Sequence, residues 1–361
     1  MKRKEFIYST IGAANLTALS ACAIIPEKPI EWQMASTWSG DLDIRYKFGV
    51  KGFCELVSEL TNGRLKITPY PAGANERVTD PLKVFEAVEQ GKAECGHTSS
   101  YYNNDDRNSP LWFATAVPFG LNAQQQNAWL YEGGGLEELN KICEARGVKI
   151  FPAGNTGAQM GGWFQNPVER LDDLKGLPMR IPGLGGRVMK EMGVIPVDVA
   201  PNEIYQAFQN KKIRAAEFVG PYDDKQLRLH EVASFYYYPG WWEPSSTLLV
   251  VVNLKAWNKL PREYQKIFQA AAFEYNTRVL ARYDVFNRKA LKELKDDYNI
   301  RLMPYSKEIL NKARSIAFDI YDRLKDNSEF QQIYESWNNF RVQVSNWHRI
   351  NEYSLIKIEE E

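Results

Sequence analysis

The chain has 361 residues, 44% of them hydrophobic and 25% charged, which excludes extensive disorder and allows two domains. Its 45 Lys and Arg are balanced by 45 Asp and Glu, so it lacks the basic surplus of a nucleic-acid-binding surface, and no nucleic-acid partner is expected.

The first element is "MKRKEF", a basic stretch followed by "IYSTIGAANLTALSAC", an apolar run too short and too polar to span a bilayer. It ends in Leu19-Ser20-Ala21-Cys22, which resembles the lipobox of bacterial lipoproteins, where the Cys becomes the lipidated first residue. An ordinary cleaved signal is the alternative. Residues 1–21 are therefore read as a signal peptide and Cys22 as a lipid anchor. The expected location is the periplasm or extracytoplasmic face, with membrane contact only through that anchor. The remaining cysteines, Cys54, Cys95 and Cys143, form no C-x-x-C and read as small buried residues, with at most one bridge.

Residues 30–38 alternate polar and apolar and predict a strand. Residues 45–63 carry apolar side chains at helical spacing and stop at Asn62-Gly63. A second strand follows at 64–70, a helix at 81–90, and a short strand and loop at 93–100. This order describes an α/β unit with a mainly parallel sheet. The pattern resumes with strands at 148–154, 177–183, 194–200 and 213–221, and helices at 186–192 and 201–210. The apolar run 246–253 must be buried on both faces. Residues 261–297 hold no internal Pro or Gly and predict a helix of about 55 Å that braces two units. A short strand at 300–305 and helices at 306–325 and 329–356 close the chain. The last carries a stripe of Phe330, Ile333, Trp337, Phe340, Trp347 and Ile350, which packs on the body or on a second subunit.

The fold class expected is α/β with two α/β domains, a cleft between them, a long bracing helix and C-terminal helices. The first domain would take 30–150 and 246–305, the second 151–245, with 306–361 as a possible dimer element.

Catalytic signatures are scarce. His97, His230 and His348 lie far apart, and no G-x-S-x-G, P-loop or metal-spaced His/Cys pattern occurs. "GLGG" (183–186) lacks the third glycine of a dinucleotide fingerprint, because Val188 stands there. The expectation is a non-enzyme. A glycosidase using a pair of glutamates remains the alternative.

Several polar groups sit in apolar surroundings. Asn155 and Gln159 belong to the Gly-rich "GNTGAQMGGWF", which lets backbone approach a ligand or is a plain loop. Arg180 stands between Met179 and Ile181, where a buried guanidinium needs an anion and an edge-strand one reaches solvent. Glu217 follows Ala216, and Glu243 ends the aromatic run "FYYYPGWWEP". A buried glutamate must be paired or metal-bound. The aromatic run is core, or it walls a pocket; at least half of its rings are expected in the core.

The blocks "NTGAQMGGWF", "LKGLPMRIPG", "AAEFVGPYDD" and "YYYPGWWEP", in this order, resemble the solute-binding proteins of tripartite ATP-independent periplasmic (TRAP) transporters, in particular the 2-oxo acid (pyruvate-type) binding members. The resemblance runs from Trp32 to the C-terminal helices. It implies the two-lobed periplasmic binding protein fold, closing on an organic acid held by Arg180. It also implies a cation bound by the side chains of Gln159 and Glu217, the carbonyl of Phe218 and the carboxylate of Glu243. Tyr101, Asn155 and Trp242 match further ligand-contacting positions. Phe218 stands where relatives commonly carry Trp, which keeps the carbonyl and loses an indole N–H.

Charge supports the cation. Arg180 against Glu217, Glu243 and a monocarboxylate leaves a dry cleft net negative, and all-oxygen donors suit Na⁺ or Ca²⁺. The function expected is capture of a small 2-oxo or 2-hydroxy monocarboxylate for a TRAP membrane permease, by a homodimer. A binding module for a sensor kinase is a second alternative.

Overall fold

Leu65 and Ile67 point into the protein while Lys66 and Thr68 point out, as alternation along a half-buried strand requires. This strand belongs to the first of two sheets. The computed structural model describes residues 28–103 and 105–360; the signal segment and Cys22 lie outside them. The strands are β1 (Ile30–Ser36), β2 (Leu65–Tyr70), β3 (Cys95–Thr98), β4 (Val148–Asn155), β5 (Trp163–Phe164), β6 (Pro178–Arg180), β7 (Ile195–Pro196), β8 (Ala215–Ala216), β9 (Phe235–Tyr238), β10 (Thr247–Asn253) and β11 (Arg301–Pro304).

The first sheet has the order β2-β1-β3-β10-β4, and the second β11-β9-β5-β8-β6-β7. Both are mixed rather than mainly parallel. β1 pairs parallel with β2 and β3, but β10 enters antiparallel between β3 and β4. The reason is the return of the chain from the second lobe, which brings β10 in from the opposite end. Thr247 to Val252 are all buried, as that apolar run demands.

Two expectations about local structure change. Residues 45–63 are not one regular helix: wide π-type turns over Asp43–Val50 lead into an α-helix at Lys51–Leu60. The strand at 301–304, expected with the first domain, pairs parallel with β9 in the second sheet. Its partner edge is offered by the aromatic strand "FYYY", which has no other neighbour on that side.

The long helix is Arg262–Asp296, about 52 Å at ~1.5 Å per residue. Phe268 packs on Trp32 and Phe53 of the first lobe, with ring centroids 6.0 and 5.0 Å apart. Farther along, Asn287 accepts the backbone N–H of Tyr222 at 3.0 Å. One rigid element thus touches both lobes. The hydrophobic cores also cross the lobes. One runs from Trp32 and Phe53 to Trp163, Phe218 and Tyr236, and the other from Trp112 and Trp129 to Met179 and Trp242.

The helices Lys307–Leu324 and Ser328–Glu360 close the fold. Of the two partners open to the stripe, Trp337 takes the protein's own body: it is fully buried against Phe113 and Tyr321. Phe340 is half-buried on the same core. The stripe changes character beyond it: Trp347 is 58% and Ile350 72% exposed. Among the described residues no helix is long and apolar enough to cross a membrane. Cys54, Cys95 and Cys143 are free and buried, and burial raises each thiol pKa.

Candidate functional site

Strand ends deliver most of the site. Arg180 is the last residue of β6, Asn155 the last of β4, and Glu217 and Phe218 follow β8. Gln159 lies between β4 and β5, Trp242 and Glu243 between β9 and β10, and Tyr101 in the turn after β3. Binding outside strand carboxyl ends is the general behaviour of open α/β sheets.

Backbone hydrogen bonds lace these separate segments together. The N–H of Gln159 donates to Glu243 O at 3.1 Å, and that of Gly240 returns to Gln159 O at 3.1 Å. Met160 N donates to Val219 O at 2.9 Å, and Glu217 N to Arg180 O at 3.0 Å. Gly240 is required here: a Cβ on it would lie 2.3 Å from the carbonyl oxygen of Gln159. Gly183, at φ +63°, opens the following helix where a Cβ would come within 2.8 Å of Tyr101. The "GLGG" segment serves this close packing.

Arg180 is 2% exposed, so it does not reach solvent. Its Nη1 donates to the Glu217 carbonyl at 2.6 Å and to the Glu217 carboxylate, and its Nε donates to Val199 O at 3.3 Å. The two residues read as acid hook and cation ligand are thus ion-paired with each other. Asn155 is buried but engaged locally: Oδ1 accepts from Gly157 N at 2.8 Å and Nδ2 donates to Thr247 Oγ1 at 3.2 Å. It shapes the loop that carries Gln159. Gln159 Oε1 and Glu243 Oε2 are buried oxygen atoms with no hydrogen-bond partner. Tyr101, Gly183, Glu217, Trp242 and Glu243 surround a void of about 10 Å³, room for roughly one water. A larger cavity of about 360 Å³ abuts Arg180 and is lined also by Tyr101, Tyr102, Pro182, Val197 and Val199.

Most of the aromatic run is core. Tyr236 stacks on Trp163 at 4.0 Å, Tyr237 packs on Phe164 and Tyr305, and Trp241 stacks on Phe119 at 5.3 Å. Trp242 is the ring that walls the void.

The surprise is how much charge is buried. Among the described residues the buried Arg, Asp and Glu side chains are Arg45, Arg180, Glu217, Asp223, Asp224 and Glu243. They form one neighbourhood. Arg45 Nε donates to Asp223 Oδ2 and to Tyr283 Oη, each at 3.1 Å. Asp224 accepts from Trp163 Nε1 at 2.9 Å, Tyr236 Oη at 2.7 Å and Val219 N at 3.1 Å. Burial pushes the Asp224 carboxyl up to about 6 against those bonds. Burial also raises Glu217, to which Glu243 and Asp224 add repulsion while Arg180 opposes. Glu243 is raised by burial, with the Ser246 side chain, Arg45 and Arg180 opposing. Two guanidiniums face four carboxyl groups, so full ionisation would leave the neighbourhood net negative, and the raised carboxyl pKa values oppose it.

Arg45, Asp223 and Asp224 were not read as site residues in the sequence. Arg45 looked like the first residue of an amphipathic helix. The signal that was present is the Asp-Asp pair directly after the apolar "FVGPY".

A cation would fit this donor set. No group of three or more His, Cys, Asp or Glu is arranged as a metal cluster among the described residues. The set must therefore include an amide and a carbonyl oxygen, as Gln159 Oε1 and Phe218 O allow. Glu217 and Glu243, at 2% and 7% exposure around the small void, do not frame the open sugar-sized cleft of a glycosidase.

Two α/β lobes that meet over a cluster of buried charges have the architecture of a two-lobed solute-binding protein. Residues 34–327 match the bacterial extracellular solute-binding proteins of family 7, and the chain belongs to that family, as one of the TRAP transporter solute-binding proteins. It is 48% identical to a monocarboxylate 2-oxoacid-binding periplasmic protein of Nostoc sp. (strain PCC 7120), over 98% of each chain. A TRAP solute-binding protein of Bordetella bronchiseptica superposes with a TM-score of 0.88 at 36% identity, covering 92% of this chain and 98% of that one. That structure is a mixed-occupancy dimer, with copurified calcium and picolinate in a bound active site and an apo site beside it. A TRAP solute-binding protein of Pseudoalteromonas atlantica with bound sodium and pyruvate gives 0.86 at 33% identity, covering 91% and 99%.

Proposed function

We propose that this protein captures a small 2-oxo or 2-hydroxy monocarboxylate together with Na⁺ or Ca²⁺ and delivers it to the permease subunits of a TRAP transporter. The observation that carries the reading is the pair of buried unpartnered oxygens, Gln159 Oε1 and Glu243 Oε2, beside the buried Arg180–Glu217 pair. The relatives with calcium and picolinate or sodium and pyruvate support it. Arg180 takes the acid's carboxylate. Gln159, Glu217, Glu243 and the Phe218 carbonyl hold the cation, a hard-ion set without nitrogen or sulfur. Tyr101 and Trp242 bound the acid.

The ion pair explains why acid and cation belong together. Parting Arg180 from Glu217 for an acid alone leaves a buried carboxylate, and for a cation alone a buried guanidinium. Either costs several kcal/mol by analogy with broken buried pairs, about 3–5. Supplying both partners at once leaves neither charge uncompensated.

In the same reading the lobes are residues 30–150 with the returning β10, and 151–245. Cys22 is the lipid anchor that keeps the protein near its permease, on the periplasmic or extracytoplasmic face. A second copy covers the exposed end of the last helix. Serving a sensor kinase would use the same pocket and is separated only by the partner.

Native mass spectrometry of the protein as purified tests the reading. Protein carrying one small organic acid and one sodium or calcium ion is the expected result. Protein that takes up pyruvate with full affinity in metal-free buffer would refute the shared site.

A further inference from the structure

Arg180 does not meet the acid with all of its donors: even when the cation takes the Glu217 carboxylate, Nε is held by Val199 O and Nη1 also bonds the backbone carbonyl of Glu217. A carboxylate in a dry cleft has two oxygens and several lone pairs to satisfy, and leaving them unmet is costly. A second guanidinium would complete its shell, and the molecule contains one.

Arg45 is fully buried in the π-type turns after β1. Only its Nε is engaged, by Asp223 and Tyr283; Nη1 and Nη2 are buried without any partner. A guanidinium stays charged at every accessible pH, so it cannot relieve this by losing a proton. Its carbon lies 4.3 Å from the centre of the Trp38 ring and 5.0 Å from that of Phe218. Arg180 stands 5.8 Å from the same Phe218 ring, so the two cations flank one side chain of the site. Arg45 also acts electrostatically on Tyr101, Glu217 and Glu243. Unbroken π-type turns are uncommon in helices and recur at functional positions.

We propose that Arg45 is the first-lobe anion contact of the acid site, its Nη1 and Nη2 donating to carboxylate oxygens of the bound 2-oxo acid that Arg180 does not reach. The inference rests on the acid-binding reading above. It gives each lobe one guanidinium on the ligand: Arg45 follows β1, Arg180 ends β6, and the acid bridges them. Asp223 and Tyr283 hold the Arg45 side chain in place.

The test is calorimetric titration of pyruvate, in sodium-containing buffer, into three forms of the full mature chain: wild type, Asp223→Asn, and the double variant Arg45→Gln/Asp223→Asn. The double variant removes the buried pair as a unit, so it tests the Nη atoms apart from the ion pair. Affinity at least tenfold weaker in the double variant than in Asp223→Asn is expected. Equal affinity in these two would overturn the role of Arg45 while leaving wild-type acid binding intact. If the double variant lacks a cooperative melt, Arg45→Lys carries the test, because it retains charge and loses both Nη groups. A loss of threefold or more is then expected, and wild-type affinity in that variant overturns the proposal. A wild-type chain that takes up no pyruvate removes both the acid reading and this inference.

Discussion

Arg180 and Glu217 hold the central relationship at the residue scale. Each is buried, each is charged, and each is read as a binding group for something else. Arg180→Lys keeps the charge but loses the planar fork, so pyruvate affinity should fall at least about tenfold, ~1.4 kcal/mol, by calorimetry. Glu217→Gln should weaken binding more than Glu243→Gln, because it also leaves Arg180 without its carboxylate. Equal losses in the two glutamine variants would mean that the ion pair is irrelevant to binding. His97 makes a separate prediction about stability. Its Nδ1 accepts from Trp38 Nε1 at 2.7 Å and its Nε2 donates to Ala153 O at 3.3 Å. Burial, aided by the nearby Arg45 charge, lowers its pKa from 6.5 to about 4. The folded state therefore resists a proton that the unfolded chain accepts. Stability is fully present above about 6.5 and declines as pH falls towards 4, by about 3 kcal/mol from this group. His97→Gln should lose less stability between pH 7 and pH 5 in urea titrations than the wild type does; parallel losses would remove His97 as the cause.

At the element scale the last helix divides into two halves with different duties. Phe330, Ile333 and Trp337 belong to the protein's own core, so deleting the whole helix would strip that core. Beyond Trp347, the exposed Ile350, Tyr353, Leu355, Ile356 and Ile358 form an apolar end with no cover. Such patches on soluble proteins mark interaction surfaces. Truncation after residue 345 should thus give a folded monomer, whereas the full mature chain should be a dimer by light scattering. A full-length monomer at micromolar concentration would end the dimer proposal. The long helix has a different role. Its contacts with Trp32, Phe53 and Tyr222 tie it to both lobes, which makes it the natural reference against which they move.

For the whole molecule, the excess of buried carboxylates makes acid and cation binding mutually favourable. Coupling of this kind is reciprocal: each should tighten the other by the same factor. Chelator treatment and sodium-free buffer should weaken pyruvate binding, and adding Na⁺ or Ca²⁺ should restore it. Zn²⁺ should restore it poorly, since the donor set offers no nitrogen or sulfur. Pyruvate titrations that coincide with and without the ions would show that Glu217 and Glu243 are neutralised in some other way. The lobes should also close on the pair, a hinge-type response of binding proteins. Solution scattering that detects no compaction on adding pyruvate with sodium would argue against it.

Much of this was legible in one dimension. Period-two alternation marks β1 and β2, because a half-buried strand must turn every second side chain inward. The unbroken apolar run of β10 marks a strand covered on both faces. The absence of Pro and Gly marks the long helix, and four motif blocks mark Arg180, Gln159, Glu217 and Glu243 as polar groups in apolar segments. What tertiary structure decided is which of these groups meet. Arg180 and Glu217 lie in separate blocks, and only the pairing of β6 with β8 turns two isolated charges into one ion pair. Asn155 is a polar residue in a Gly-rich loop, and only the folded chain shows it bonded to Gly157 and Thr247. Trp337 shared a stripe with Trp347, yet Trp347 is turned away from the face that Trp337 buries while the next residue, His348, is still buried, so one tryptophan is covered and the other exposed. Arg45 opens the stretch whose apolar spacing predicts a helix over 45–63. It became a buried cation because Asp223 and Tyr283, far away in the chain, close around it. Periodicity is a property of neighbours along the chain; burial of charge depends on partners that only the folded chain brings within reach.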